Sequence, residues 1–210
     1  MAQKVLILGS SGSGKSTSIR NLKPEETFII KTVEKPLPFK KSESLYNLEK
    51  KNLFVTKKID SVIKALDKIE KNKSIKTLII DDFNYLLTYG YKERAKETGY
   101  TKFETLAFGI MDIFNKLDEM RNDLIIYIMA HTQKDQDGKL SMKTIGRFLD
   151  EKVVIEGLFS MVILALGSES EYKFTVNGLD PAKTPIDMFA ENEIENDLVL
   201  INKAIKEYFN

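Results

Sequence analysis

The stretch Gly9-Ser-Ser-Gly-Ser-Gly14-Lys15-Ser16 decides how the rest of this sequence is interpreted. It follows directly on the apolar run at residues 4–8, and a helix-compatible stretch at 15–22 follows it and ends before Pro24. Glycine adopts positive φ without steric cost, so the chain can turn sharply here and point successive N–H groups into one concavity. The pattern therefore predicts an anion-binding loop between a buried strand and a helix.

This loop matches the phosphate-binding P-loop pattern of glycine, four residues, glycine, lysine, and serine or threonine. The N–H groups and the helix N-terminus would bind phosphate, Lys15 would add a mobile charge for the β- and γ-phosphates, and the Ser16 hydroxyl suits Mg²⁺. A Gly/Ser-rich turn without a ligand is the alternative. We predict that ATP binds through Gly9, Ser10, Ser11, Gly12, Ser13, Gly14, Lys15, Ser16 and Thr17, with Ser16 as a ligand of Mg²⁺.

A pair of aspartates closes a second apolar run, Thr77-Leu-Ile-Ile-Asp81-Asp82. P-loop architecture needs an acidic residue at the end of a neighbouring strand, where it holds Mg²⁺ directly or through water. Asp81 is the first polar position after the run, so we predict that it is the metal partner. Asp82 is predicted to orient water or to act as a base. A helix N-cap is the alternative for the pair, and Asp82 could serve in both roles.

Two further residues are candidates for the reaction centre, beside Lys15 and Asp82. Glu34 lies just past the second predicted strand, where a carboxylate could polarise water, or it is a solvated glutamate beside Lys35. His131 ends a buried run whose strand is expected to neighbour the Asp81 strand; it either hydrogen-bonds the γ-phosphate or is a structural residue. No spacing rule selects a cation for the γ-phosphate among Lys143, Arg147 and Lys183.

The composition excludes several classes of protein. The 210 residues are 42% hydrophobic and 30% charged, which predicts one globular domain over 1–210. The absence of cysteine and the single histidine exclude a disulfide framework and a thiolate or multi-histidine metal site. The apolar runs are too short to span a bilayer and no signal peptide is recognisable, so we expect a cytoplasmic protein without a membrane partner.

Short β-rich runs alternate with amphipathic helical stretches, which predicts an α/β fold with a mostly parallel central sheet flanked by helices. Helices are predicted at 15–22, from residue 60 or 61, from Thr101, and at 197–209 with Phe209 facing inward. Lys139–Thr144 is expected to form one arm of a hairpin, because Asp137-Gly138 is a turn dipeptide. The other predicted strands are 4–8, 27–30, 53–56, 76–82, 123–130, 158–166 and 171–176.

Segments spread over nearly the whole chain carry a family resemblance: 9–17, 27–30 with 35–40, 78–83, 99–103, Met129-Ala-His-Thr132, 148–152, 156–159 and 182–189. With them the chain resembles the compact, phage-encoded P-loop ATPases of the RecA-like/AAA type, some of which are single-strand annealing or recombinase proteins. The resemblance implies a RecA-like core that binds ATP and Mg²⁺ and self-associates into a ring or filament. It also implies single-stranded DNA as a partner in phage recombination or replication, in the host cytoplasm.

In RecA-like proteins two loops face DNA, and they correspond here to residues 88–101 and 132–147. Aromatic residues could stack on bases and cations could track phosphates; an amphipathic helix with exposed lysines is the alternative for the first loop. His131 and Thr132 stand where a glutamine switch is expected, so annealing is favoured over strand exchange. The candidate residues are Tyr89, Tyr91, Lys92, Arg94, Lys96, Tyr100 and Lys102 in the first loop, and Lys134, Lys139, Lys143 and Arg147 in the second.

Two other functions remain compatible with the loop. A small-molecule kinase usually clamps its phosphates with several arginines, whereas this chain has four: Arg20, Arg94, Arg121 and Arg147. A nucleotide-dependent assembly factor would hydrolyse ATP slowly or not at all. Residues 1–105 hold 21 Lys/Arg and 13 Asp/Glu, which predicts either a basic face for a polyanion or solvated surface lysines that happen to fall early in the chain.

Overall fold

The computed structural model describes residues 1–97, 99, 101–134, 138–145, 153–168 and 171–209. Its strands are β1 (Gln3–Gly9), β2 (Thr27–Lys31), β3 (Leu53–Val55), β4 (Thr77–Asp81), β5 (Ile125–Lys134), β6 (Leu140–Met142), β7 (Met161–Gly167), β8 (Tyr172–Thr175) and β9 (Glu193–Glu195). Its α-helices are α1 (Ser42–Leu45), α2 (Ile59–Lys71), α3 (Asn84–Glu93), α4 (Thr101–Asp118) and α5 (Leu198–Phe209), and 3₁₀ helices cover Ser16–Asn21 and Ile155–Leu158.

The strands form a single sheet in the order β3-β2-β4-β5-β1-β7-β8-β9, with β6 paired to β5. Neighbours from β3 to β7 are parallel, whereas β8, β9 and β6 are added antiparallel. This architecture confirms the predicted α/β fold with a mostly parallel sheet. The parallel strands end at one edge, where side chains from several strands meet.

Both faces of the sheet are covered, as expected for parallel strands that are apolar throughout. Alternate residues of β1 enter opposite cores: Leu6 and Leu8 pack with α2, α3 and α4, whereas Val5 and Ile7 pack with the first 3₁₀ helix and α5. β5 follows the same alternation and is buried along most of its length. These two layers fix the ends of β1, β4 and β5 relative to one another.

Several details differ from the sequence predictions. The helix predicted at 15–22 is a 3₁₀ helix over Ser16–Asn21. Residues 88–93 belong to α3, which agrees with the helix alternative for the first loop, because Leu86, Leu87 and Gly90 bury that helix. Phe209 was expected to face inward, but it is 45% exposed and packs against the Tyr208 ring.

Other predicted elements are confirmed or lie outside the structure. The predicted hairpin is confirmed by the antiparallel pairing of β5 and β6. Asp137, Tyr100, Arg147 and the segment 148–152 lie outside the described residues, as does the side chain of Lys102. No helix in the described ranges has the length and apolar character needed to cross a bilayer.

Candidate nucleotide-binding site

The candidate site lies where the parallel strands end. Gly9 at the end of β1 pairs with His131 of β5, and Lys31 at the end of β2 pairs with Asp81 of β4. β4 also pairs with β5, so the strands of Asp81 and His131 are neighbours, as expected. However, β5 lies between β1 and β4, so the Asp81 strand is one strand removed from the P-loop strand rather than its direct neighbour.

The loop after β1 has the backbone that its glycines predict. Gly12 and Gly14 have φ of 79° and 90°, a region that favours glycine. A Cβ on Gly14 would stand 2.8 Å from Cδ1 of Tyr172, so only glycine fits against that ring. The Ser13 hydroxyl is buried without a hydrogen-bond partner in the described part of the chain. A loop with this shape and an unused buried hydroxyl fits a bound phosphate.

Lys15 lies within this loop and is only 5% exposed. Its Nζ donates hydrogen bonds to the carbonyl oxygens of Gly9 at 2.8 Å and Ser10 at 2.7 Å. Burial lowers the pKa of Lys15 to about 8, although Asp81 and Asp82 favour its charged form. The ammonium is thus held among neutral carbonyls, and a triphosphate would give it a much stronger partner.

We expect ATP binding to take up a proton above pH 8, because Lys15 has a pKa of about 8 here and bound phosphates would shift it back towards 10.5. The bound state then holds more protons, so affinity should fall by up to about tenfold per pH unit above that pKa. Calorimetry in buffers with different ionisation heats measures this uptake. Lys15→Arg keeps its charge and should lose the effect; equal uptake by both proteins would contradict the assignment.

Ser16 and Asp81 connect the loop to β4. The Ser16 hydroxyl donates to the Asp81 carboxylate, with Oγ 2.9 Å from Oδ1 and 3.0 Å from Oδ2. Asp81 is 1% exposed, and burial together with the neighbouring Asp82 raises its pKa to about 6. The described residues contain no group of three or more His, Asp or Glu side chains that could hold a metal ion. Mg²⁺ held here by Ser16 and Asp81 would therefore need phosphate oxygens and water to complete its shell.

Asp82 has an unusual backbone and a fixed carboxylate. Its φ of 59° is left-handed, and its carbonyl oxygen accepts a hydrogen bond from Thr32 Oγ1 at 2.6 Å. Its Oδ2 lies 2.6 Å from Lys35 Nζ and its Oδ1 3.4 Å from His131 Nε2. Burial works against ionisation, but these two partners outweigh it and lower the pKa of Asp82. The side chain does not cap α3, so the N-cap alternative is not observed.

A family model described as an AAA domain matches residues 1–177. The chain belongs to this AAA domain family. The match indicates a nucleotide-binding ATPase domain, in agreement with the P-loop and Asp81. A search of curated proteins finds no match.

Lys35 is the site residue of the AAA domain that sequence reasoning missed. It occupies the position facing Asp82, whereas the neighbouring Glu34 is exposed and joins neither Asp81 nor Asp82 through any contact in the described ranges. Lys31 Nζ donates to the carbonyl oxygen of Lys35 and so fixes the turn after β2. No local sequence pattern distinguishes Lys35 from the other lysines, because its partner Asp82 follows β4 and is distant in sequence. The catalytic role of Glu34 stays a prediction.

Asn84 links the Asp82 turn of the AAA domain to the β5–β6 hairpin. Its side chain accepts a hydrogen bond from the main-chain N–H of His131 and donates to the carbonyl oxygen of Lys143. The Lys143 N–H in turn donates to the His131 carbonyl at 2.7 Å. The imidazole of His131 therefore contacts Asp82 while its backbone is tied to the hairpin. The Lys143 side chain is exposed, and Lys183 pairs through its backbone with Val162 in β7.

Two of the four arginines have structural partners elsewhere in the chain. Arg20 donates to the Asn196 carbonyl at 2.5 Å and pairs with Glu195. Arg121 binds carbonyl oxygens at the end of α2, including that of Ile69 at 2.7 Å. These contacts leave little support for the arginine clamp of a small-molecule kinase.

Proposed function

We propose that this AAA domain is a Mg²⁺-dependent ATPase that binds and anneals single-stranded DNA. The observation that carries the ATPase part is the hydrogen bond between Ser16 and the buried carboxylate of Asp81, because it brings the P-loop and the strand-end carboxylate into contact. The AAA family match supports the same reaction class. Single-stranded DNA, annealing and self-association rest on the resemblance and on the surface features described below.

Different residues of the site would bind the phosphates, hold the metal and orient the attacking water. Lys15 would exchange the Gly9 and Ser10 carbonyls for the β- and γ-phosphates. Ser16 and Asp81 would hold Mg²⁺, which neutralises charge on the phosphates when it is bound. Asp82 would orient the attacking water, since its carboxylate stays anionic and is fixed by Lys35 and His131.

A row of aromatic rings leads from the site to the surface along α3. The Tyr85 ring lies edge-on to His131 with 6.1 Å between centroids, and the Tyr89 ring follows at 6.2 Å from Tyr85. Lys57 Nζ lies 4.9 Å from the centre of the Tyr89 ring. Rings beside cations are suited to stacking bases and tracking a phosphate backbone. This row supports a strand of DNA passing over α3, within reach of His131.

Cations on the β5–β6 hairpin extend the same surface. Lys134 and Lys143 are exposed, while Lys139 pairs with Asp180 at 3.4 Å. Tyr91 is partly exposed and stacks on Phe103 with centroids 5.4 Å apart, so part of the aromatic set in 88–101 contributes to packing. The DNA proposal therefore rests chiefly on Tyr85, Tyr89 and their neighbouring lysines.

Tyr89→Ala should weaken binding of a single-stranded oligonucleotide by about tenfold, because stacking one base on an aromatic ring contributes roughly 1–3 kcal/mol. Fluorescence anisotropy at fixed salt measures the affinity. Tyr208→Ala removes an exposed tyrosine on α5 and serves as the matched control. Equal affinity for the wild type and Tyr89→Ala would contradict the proposed DNA surface.

The proposed function as a whole is tested by ATP hydrolysis in the wild type and Asp81→Ala, with and without single-stranded DNA. We expect turnover by the wild type, stimulation by DNA, and loss of both in the variant. Nucleotide binding without turnover would favour the assembly-factor alternative, and phosphate transfer to a nucleoside would favour a kinase. Size measurement with ATP and DNA tests the proposed ring or filament.

A further inference from the structure

A cavity adjoins the P-loop on the side away from Asp81. It has a volume of about 940 Å³ and lies between the first 3₁₀ helix, which contributes Thr17 and Arg20, and the β8–β9 edge, which contributes Tyr172 and Asn196. Thr17 directly follows the predicted Mg²⁺ ligand Ser16. The wall of the cavity therefore includes the last residue of the phosphate loop.

The sheet order gives a bound triphosphate a direction. β5 and β4, which carry His131 and Asp81, lie on one side of β1, and β7, β8 and β9 lie on the other. Asp82 and the Ser16–Asp81 pair place the γ-phosphate and the metal on the first side. The opposite end of the nucleotide must then leave the loop towards β8 and β9, where the cavity lies.

Asn196 is a buried amide that lacks partners. It is 1% exposed, and neither its Oδ1 nor its Nδ2 has a hydrogen-bond partner in the described part of the chain. Its Nδ2 lies 3.1 Å from the position that a Cβ on Gly14 would occupy, so the amide stands directly against the P-loop. Buried polar groups in native proteins are normally satisfied, and a ligand is one means of satisfying them.

Tyr172 supplies a flat surface beside that amide. A Cβ placed on Gly14 or on Gly167 would lie 2.8 or 2.9 Å from the Tyr172 ring, so the two glycines let the ring pack close to the loop. The side chain is nevertheless 46% exposed. A ring held beside a phosphate loop and partly open to the cavity is suited to stacking a nucleobase.

The charge of the cavity disfavours a phosphate. Its carboxylates outnumber its cations, and both cations are paired: Arg20 with Glu195 at 3.4 Å, and Lys173 with Glu171 at 3.3 Å. Carboxylates accept hydrogen bonds from hydroxyl and amino groups but repel anions. The carboxylates that line the cavity are Glu171, Glu191, Glu193 and Glu195.

We propose that this cavity binds the nucleoside of ATP, with Tyr172 stacking on the base and the Asn196 amide reading its edge. The inference rests on the proposed nucleotide binding and adds base specificity to it. An asparagine amide accepts from the adenine amino group and donates to the adjacent ring nitrogen, whereas guanine presents two acceptors at the same edge. The site should therefore prefer adenine to guanine nucleotides.

Calorimetric titration with Mg²⁺ and ATP, GTP or inorganic tripolyphosphate tests this assignment. The wild type should bind ATP at least about tenfold more tightly than GTP, and Asn196→Ala should bring the two affinities close together, because one bidentate contact gives roughly that discrimination. Tyr172→Ala should lower the affinity for both ATP and GTP, whereas Tyr172→Phe should leave both affinities unchanged. Tripolyphosphate affinity should change by less than about twofold in every variant, since it contacts only the loop.

The outcomes separate this inference from the proposed function. If ATP and tripolyphosphate bind but the ATP-to-GTP ratio is the same in the wild type and Asn196→Ala, the base site is overturned while the P-loop assignment stands. If neither ligand binds to the wild type, the proposed function itself fails. The thermal unfolding temperature without nucleotide is the folding control. Asn196→Ala should not lower that temperature, because the amide has no hydrogen-bond partner in the described part of the nucleotide-free protein.

Discussion

Lys15→Ala is expected to weaken binding of Mg²⁺-ATP by about a thousandfold, because two hydrogen bonds between charged groups contribute roughly 1.5–3 kcal/mol each. Lys15 is buried in the loop and already donates to two of the loop's own carbonyl oxygens. A triphosphate would replace these neutral acceptors with charged ones. Calorimetry of nucleotide binding measures the loss.

The matched control for this experiment is Lys76→Ala. Lys76 pairs with Asp123 at 2.6 Å. It directly precedes the first residue of β4, whereas Asp81 is the last residue of that strand, so Lys76 lies at the opposite end of the strand from the site. Its removal should leave nucleotide affinity within about threefold of the wild type, as is usual for a surface charge. If Lys15→Ala retains as much nucleotide affinity as Lys76→Ala, the lysine of the loop does not bind the phosphates.

Asp82→Asn is expected to lower kcat by about a hundredfold or more while changing nucleotide affinity by only a few fold, since positioning or deprotonating water typically contributes 10²–10⁴. The substitution keeps the shape of the side chain and removes its charge. Lys35 and His131 would then lose the anion that both of them contact. Steady-state hydrolysis and equilibrium binding together separate the two effects.

Glu34→Gln provides the comparison for Asp82→Asn, because Glu34 is the other carboxylate predicted to polarise water. Its side chain is exposed, so we expect kcat to fall by less than about threefold, the range of an ordinary surface substitution. A large loss in Glu34→Gln with a small loss in Asp82→Asn would reverse the two assignments and require the turn after β2 to close over the nucleotide.

The P-loop and the strand of Asp81 were predictable because their signals are local. Glycines before a lysine, and an apolar run before two aspartates, restrict the backbone within a few residues. The partners of Asp82 were not predictable in the same way. Lys35 reaches it from the turn after β2 and His131 from β5, so both contacts depend on the strand order. The sequence suggests a γ-phosphate contact for His131 but gives no reason to choose Lys35.

The candidate base site shows the same limit more strongly. Asn196 lies far from Gly14 in sequence, and only the antiparallel addition of β8 and β9 brings it against the loop. Its unsatisfied amide is a three-dimensional property that no spacing rule predicts. The sequence offered a helix in this region only as the alternative to the first loop, for a related reason: burial against α4 holds α3 as a helix through residues that otherwise suit a loop.

The central claim is that the loop after β1 and the carboxylate of Asp81 bind the phosphates and the metal of one nucleotide. A crystal structure with Mg²⁺ and a non-hydrolysable ATP analogue tests it most directly. We expect the β- and γ-phosphates within hydrogen-bonding distance of Lys15 Nζ, and Mg²⁺ between Ser16 and Asp81. A nucleotide bound elsewhere, or a loop whose lysine still faces the Gly9 and Ser10 carbonyls with the analogue present, would contradict the account.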